Sequence, residues 1–136
     1  MKTKAIAELL LTKLSEEMTD IAVSIMPDNP ESYQLQHPDG ELLIWIKNGG
    51  TLTPPIGRTQ GKILAVSISI MARSLMAEDV GVLDLCDRVR IVLTNDYSIM
   101  GANLYCINDG MFIDYTEGIW NYESTFIIPS VVVLGT

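Results

Sequence analysis

Residues 62–73 read KILAVSISIMAR, and the pattern of this stretch decides the fold. An apolar side chain recurs at every second position, which is typical of a β-strand with one face on a hydrophobic core. That face consists of Leu64, Val66, Ile68, Ile70 and Ala72. The centre of the other face carries only the small residues Ala65, Ser67 and Ser69, and its first charge is Arg73. It differs from an ordinary solvated sheet face, so either water, a helix or a second protein surface must lie against it.

Two helices and several further strands are predicted around this stretch. Residues 4–18 and 78–93 both place apolar side chains at helical spacing, so each is expected to bury one stripe of a helix. Glu78 and Asp79 fall in the expected first turn of the second helix, where the helix dipole favours negative charge, and Asn95 is its expected end. The strands are predicted at residues 21–25, 41–47, 62–73, 103–108, 111–115 and 119–128, with a last short strand at 131–134.

The connections between these elements are predicted from their turn residues. Asp39-Gly40 and Asp109-Gly110 are dipeptides that favour tight hairpin turns. Residues 48–61, NGGTLTPPIGRTQG, are predicted to form one long flexible loop. Loops of this length are often functional in compact domains, and this one suits an arm that reaches a neighbouring molecule. The alternative is a surface connection without a partner.

The order of elements predicts a single α+β domain spanning residues 1–136. Its sheet is expected to be mostly antiparallel, with both helices packed on one face. In that arrangement Leu64, Val66, Ile68 and Ile70 face the helices. The face of Ala65, Ser67 and Ser69 is then left without a helix to cover it.

Composition and charge limit the classes of function. The 136 residues are 48% hydrophobic, which is high for a small monomer and favours an oligomer. The formal net charge is −8 and no basic cluster occurs, so specific nucleic-acid binding is not expected. No uninterrupted apolar segment approaches the roughly 20 residues of a membrane span, and the chain is expected to be cytoplasmic, without membrane partners.

The residues that commonly carry chemistry form no recognisable site. His37 is the single histidine, and Cys86 and Cys106 are far apart in the sequence without a CxxC spacing. The two cysteines are expected to be free structural thiols on apolar stripes. We therefore expect no catalytic residue, no metal and no cofactor. A small-molecule binding module or an enzyme with a pocket between sheet and helices remains the alternative.

Several segments together resemble one known family. The sequence has LLIWIKNGG at 42–50, TQGK at 59–62, MARS at 71–74, GVLDLCDRVRIVL at 81–93 and WNYESTFIIP at 120–129. In this order and spacing they resemble the tail terminator family of Mu-like contractile-tailed phages and their prophage relatives. The similarity covers residues 4–130.

The resemblance implies a structural virion protein and not an enzyme. Members are expected to form a hexameric ring that caps the tail tube and contributes to the head–tail junction. The implied partners are further copies of the chain, the tail tube protein and a head-completion protein. The implied locations are the host cytoplasm during assembly and then the virion tail. A different head–tail connector or a baseplate component is the alternative within the same particle.

The candidate assembly surface combines the uncovered strand face with the long loop. Small side chains on the strand allow another backbone to approach closely, while glycines and prolines let the loop bend and stiffen. The candidate residues are Gly49, Gly50, Pro54, Pro55, Arg58, Ala65, Ser67, Ser69 and Arg73.

Overall fold

The computed structural model describes residues 3–28, 39–51, 60–95, 97–99 and 101–133. Its elements follow the order α1 Thr3–Glu17, β1 Ala22–Ile25, β2 Glu41–Thr51, β3 Gln60–Ala72, α2 Val82–Thr94, β4 Ser98–Ile99, β5 Ala102–Asn103, β6 Tyr105–Thr116 and β7 Ile119–Val133. The α+β class predicted from the sequence is confirmed.

The main sheet has five strands in the order β1-β2-β3-β7-β6. Every neighbouring pair is antiparallel except β1 and β2, which are parallel. The strand predicted at residues 62–73 is β3, and it lies at the centre of this sheet. Ile68 of β3 stands opposite Ile44 on one side and Ser124 on the other. A small second sheet consists of β4 and β5.

Both helices pack on one face of the sheet, as predicted. The apolar face of β3 is fully buried there, and it joins one cluster with the buried stripes of α1 and α2. The helical side chains of this cluster are Ile6, Leu10, Leu14, Val82, Leu85, Cys86, Val89 and Leu93. The side chains that alternate along β3 and those that recur at helical spacing in α1 and α2 therefore form a single core.

The second helix begins later than predicted, at Val82, because the chain turns tightly before it. A Cβ atom on Gly81 would lie 2.6 Å from both the backbone N and O of Ala77. Only glycine allows this close approach. Glu78 and Asp79 consequently precede the helix, and Asp84 is the acidic residue of its first turn. Asn95 caps the other end, as predicted.

Arg88 of α2 ties the helix to the segment that follows α1. Its two terminal nitrogens donate to the carboxylate of Asp20 at 2.8 and 3.0 Å, and one of them also donates to the carbonyl of Asp79 at 2.8 Å. The hydrogen bond from Arg88 to Asp20 raises the pKa of the guanidinium. Such bidentate pairs fix relative orientation as well as adding energy.

The prediction of a hairpin turn at Asp109-Gly110 is wrong, because β6 continues through that dipeptide to Thr116. The register of the pairing with β7 shifts between Asn108 and Met111. Gly110, with φ of 65°, lies at this bulge-like irregularity within the strand. The chain reverses instead at Glu117-Gly118, where φ is 54° and 79°. Positive φ at both central residues is the geometry of a type I′ turn.

Two other connections also differ from the sequence predictions. Asp39-Gly40 does not form a hairpin, since β1 and β2 are parallel. The loop predicted over 48–61 is shorter, because β2 continues to Thr51 and β3 already begins at Gln60. Residues 52–59 lie outside the described residues. The two last strands predicted from the sequence are one continuous strand, β7.

Candidate functional site

One face of the sheet lacks contact with the helical core, and we call it the open face. By register it contains Leu43, Trp45 and Lys47 of β2, Ala65, Ser67 and Ser69 of β3, and Glu123 and Thr125 of β7. In the part of the chain that the structure describes, the core cluster includes none of these side chains. The apolar stripes of the described helices therefore pack on the other face, although Leu43, Ser67 and Thr125 of the open face are also buried.

A polar network occupies the centre of the open face. Lys47 Nζ donates to Oε1 of Glu123 at 2.7 Å, and Ser67 Oγ donates to the same oxygen at 2.8 Å. The hydroxyls of Ser67 and Thr125 lie 3.3 Å apart. Burial acts to raise the pKa of the Glu123 carboxyl, but the bonds from Lys47 and Ser67 outweigh it and the pKa is lowered. The network therefore holds a carboxylate and an ammonium together across three strands.

Trp45 lies beside this network on β2. Its ring centroid is 4.3 Å from Lys47 Nζ, within the range of a cation–π contact. Its indole nitrogen is buried and makes no hydrogen bond to the residues that the structure describes. Buried Trp N–H groups usually have a partner, so this donor is an exception among the described residues.

The sequence-predicted assembly residues have different environments. Ala65 and Ser69 are half-buried on the open face, and Arg73 is exposed just after β3. Ser67 is fully buried, so it is not the accessible contact that its position in the alternation indicated. Gly49 and Gly50 lie in β2 and not in a loop. Pro54, Pro55 and Arg58 lie outside the described residues.

Sequence reasoning missed the edge strand β6, which pairs only with β7 in the described sheet. Its large hydrophobic side chains are between 44% and 54% exposed, and they are Tyr105, Ile107, Met111, Phe112, Ile113 and Tyr115. Edge strands are normally protected by Lys, Pro or short length, and β6 has twelve residues with neither Lys nor Pro. The missed signal was the run MFIDY at 111–115, which has large apolar side chains on both faces although its strand lies at the edge of the sheet.

Four aromatic side chains meet near the β6–β7 turn, and we call them the aromatic cluster. They are Phe112, Tyr115, Trp120 and Tyr122. Tyr115 and Trp120 have ring centroids 4.3 Å apart, and Phe112 makes edge contacts with Trp120 at 6.3 Å and Tyr122 at 5.6 Å. Their side of the sheet is the helix-covered one, yet Phe112 and Tyr115 remain more than half exposed. Such aromatic patches are enriched at protein interfaces.

Three nucleophilic side chains, Ser67, Cys86 and Cys106, lie in the sheet or beside its core. Ser67 is fully buried, so its hydroxyl is not accessible for attack on a substrate. Cys86 and Cys106 are both free thiols. The described residues include no group of three or more His, Cys, Asp or Glu that could hold a metal ion. Neither described helix has the length and apolarity that a membrane crossing requires.

Comparison with protein families gives one match over nearly the whole chain. Residues 10–135 match the model of a family described as Gp37 protein. The matched region includes every strand of the sheet, both faces and the edge strand. A comparison with curated proteins gives no match.

Proposed function

This chain belongs to the phage-associated Gp37 protein family, and on that premise we propose that it is a tail terminator of the phage particle. In this role it forms a ring, most simply a hexamer, that caps the tail tube and contributes to the head–tail junction. Its partners are further copies of itself, the tail tube protein and a head-completion protein. It acts by binding and not by catalysis, first in the host cytoplasm and then in the virion tail.

The observation that carries this proposal is the open face. A sheet buried on one side and free of core contacts on the other is suited to stacking against a second protein surface. Ala65 and Ser69 are small enough to let a neighbouring backbone approach, while the polar network keeps the centre of the face rigid.

The net negative charge of the chain also supports the proposal that it forms a ring through which DNA passes. A net charge of −8 repeated around a ring makes a lumen that repels phosphates, so DNA passes without adhering. The proposal therefore needs no site for specific nucleic-acid binding.

Deletion of the gene from an inducible prophage that carries it tests the role. A tail terminator stops tube growth and presents the surface for head attachment. Electron microscopy of the lysate should then show filled heads separate from tails of irregular length, and a plasmid copy of the gene should restore whole particles.

Other phenotypes would replace this proposal with a different one. Detached tails of uniform normal length would indicate a head–tail connector, and heads without any tails would indicate a baseplate component. Whole infectious particles in the deletion strain would contradict a structural role and favour a small-molecule binding module.

A further inference from the structure

We propose that the β6–β7 hairpin docks a basic, apolar segment of a different protein. The contact surface consists of the exposed hydrophobic side chains of β6, the aromatic cluster and the carboxylates of Asp114 and Glu117, and we call it the hairpin surface. It shares no residue with the open face. The inference deepens the proposed function and rests on it, because it gives the chemistry of one protein partner in the particle.

Exposed hydrophobic side chains are concentrated on β6. Among the described residues eleven large hydrophobic side chains are exposed, and six of them belong to this one strand. The other five are spread over α1, β1, α2 and the segment between β3 and α2, as is normal for a protein surface. Half-exposed side chains of this size each present on the order of 100 Å² of apolar surface. The strand therefore supplies a large part of the roughly 800 Å² that each partner contributes to a stable interface.

The pairing of β6 with β7 indicates how a partner makes contact. Its register shifts three times, between Cys106 and Asn108, between Asn108 and Met111, and between Phe112 and Asp114. Bulges of this kind twist an edge strand and hinder the addition of another strand. The hairpin therefore presents its side chains to a partner, which packs against the rings and aliphatic groups.

The charge of the hairpin selects the partner. Residues 105–128 contain four carboxylates and no Lys, Arg or His. Two of these carboxylates, Asp109 and Glu123, are held by cations of this chain at 2.9 and 2.7 Å. The other two, Asp114 and Glu117, are exposed near the aromatic cluster and form no ion pair with the described residues. Exposed rings next to carboxylates attract Lys and Arg through cation–π contacts and ion pairs, so the surface suits a segment in which these cations accompany apolar side chains.

The same charges disfavour three other occupants. The phosphates of nucleic acids and of anionic membranes are repelled by carboxylates. A second copy related by a two-fold axis would place like carboxylates near each other. Four of the six Lys and Arg side chains that the structure describes, Lys13, Lys47, Arg88 and Arg90, already pair with carboxylates of the chain. The described part of a second copy therefore has few cations to offer, and the partner is a different protein.

Site-specific photo-cross-linking identifies what contacts the hairpin surface. Phe112 is replaced by p-benzoylphenylalanine, which keeps an aromatic ring at this position, and the variant is expressed from the inducible prophage that carries the gene. After irradiation, mass spectrometry should find position 112 joined to a different protein of the particle, in a segment with Lys or Arg next to large apolar side chains. The matched control is the same replacement at Leu9, which is 40% exposed on α1 and should not cross-link to that segment.

A charge-neutral variant tests the two carboxylates separately. Asp114→Asn/Glu117→Gln should lower the cross-linking yield at position 112 at least about threefold, because two ion pairs to the partner are lost. Both positions are exposed, so the melting temperature should stay nearly unchanged. Glu8→Gln/Glu16→Gln makes the same change of charge on exposed positions of α1 and should leave the yield as it is.

Other results would overturn the inference. Cross-links from position 112 to a second copy of this chain would make the hairpin surface a contact between copies. A cross-linked segment without Lys or Arg, the same cross-link from position 9, no cross-link at all or an unchanged yield in the neutral variant would each contradict the proposed chemistry. Detached tails of uniform length in the deletion strain would change the role of the protein without changing these cross-links, so the two proposals can fail separately.

Discussion

The ammonium of Lys47 lies 2.7 Å from a carboxylate oxygen of Glu123, although the two residues are 76 positions apart in the sequence. The Glu123 side chain is only 17% exposed, while that of Lys47 is 41% exposed. The two partners therefore differ in how well water can replace the lost contact. Removal of the cation leaves a largely buried charge, whereas removal of the carboxylate leaves an ammonium that water can reach.

The first prediction follows from this asymmetry. Lys47→Met should lower the free energy of unfolding by about 2 kcal/mol, and Glu123→Gln by about 1 kcal/mol. Urea denaturation at neutral pH, followed by circular dichroism, measures both values. Equal costs for the two variants would show that burial of Glu123 does not control the energetics of the pair.

The second prediction concerns pH. The pKa of Glu123 in the folded state lies below its ordinary value of 4.5, so its contribution to stability is present above that value and is lost as pH falls through the folded pKa. The deficit of Lys47→Met relative to the wild type should therefore shrink as pH falls below 4.5 and through the lowered folded-state pKa of Glu123. A deficit that stays constant from pH 7 to pH 3 would contradict the assignment.

The third prediction tests the open face as an assembly surface. Ser69→Lys should leave the melting temperature nearly unchanged, because the side chain is half-buried and can extend outward. It should nevertheless block assembly into tails, since a long cation would stand between the face and its partner. The matched control is Ser15→Lys on the outer side of α1, which should assemble normally. Normal assembly of the Ser69 variant would exclude this part of the face from the interface.

Ser67 behaves differently and is not suited to the same test. It is fully buried and donates to Glu123 at 2.8 Å. A Ser67→Glu substitution would place two carboxylates together inside the sheet and destabilise the fold itself. Of the two serines, only Ser69 is therefore suited to a charged substitution that tests the open face without disturbing the fold.

The sequence predicted those features that depend on local periodicity. Strict alternation in residues 62–73 was sufficient to assign β3 and its two faces, because one strand face must meet the core. The helical stripes were equally clear. The environment of Ser67, however, depends on Glu123 and Thr125, which are distant in the sequence. Alternation gives the side to which a residue points, but it does not give the neighbours that bury it.

Turns were predicted less well because one dipeptide suits several geometries. Asp109-Gly110 and Glu117-Gly118 both place a glycine at positive φ. That conformation serves a β-bulge as well as a hairpin, and the pairing of β6 with β7 decides between them. The exposed hydrophobic edge of β6 was missed for a related reason. Its apolar residues suggest burial, and the position of a strand within a sheet is set by long-range pairing.

The fourth prediction concerns the two thiols. Burial, followed by the nearby charges of Asp109 and Asp87, raises the pKa of Cys86 to about 12. At pH 8 only about one such thiol in ten thousand is ionised, so alkylation of folded Cys86 should be very slow. Cys106 is half-buried and should react faster, although burial also raises its pKa. Mass spectrometry of labelled protein checks this order, and denaturant should make both thiols react alike. Faster labelling of Cys86 than Cys106 in the folded protein would contradict its burial.

The last prediction compares two glycines that the fold requires for different reasons. Gly118 has φ of 79°, and a Cβ atom there would meet nothing within 4 Å. Gly118→Ala should therefore cost only the strain of a left-handed backbone, about 1 kcal/mol. Gly81 has an ordinary φ of −67°, but its Cβ atom would lie 2.6 Å from the backbone of Ala77. Because backbone atoms cannot retract like a flexible side chain, Gly81→Ala should cost about 3 kcal/mol or more.

A second substitution that restores stability distinguishes the two variants further. Glu117→Asn in the Gly118→Ala background should recover a few tenths of a kcal/mol, since Asn tolerates positive φ better than Glu. No change at a neighbouring side chain should rescue Gly81→Ala, because the conflict is with the backbone N and O of Ala77. Thermal and urea unfolding of the four proteins give these differences directly. A Gly81→Ala cost as low as the 1 kcal/mol or so expected for Gly118→Ala would mean that the start of α2 can shift to relieve the contact, and that the turn before Val82 is not fixed by glycine.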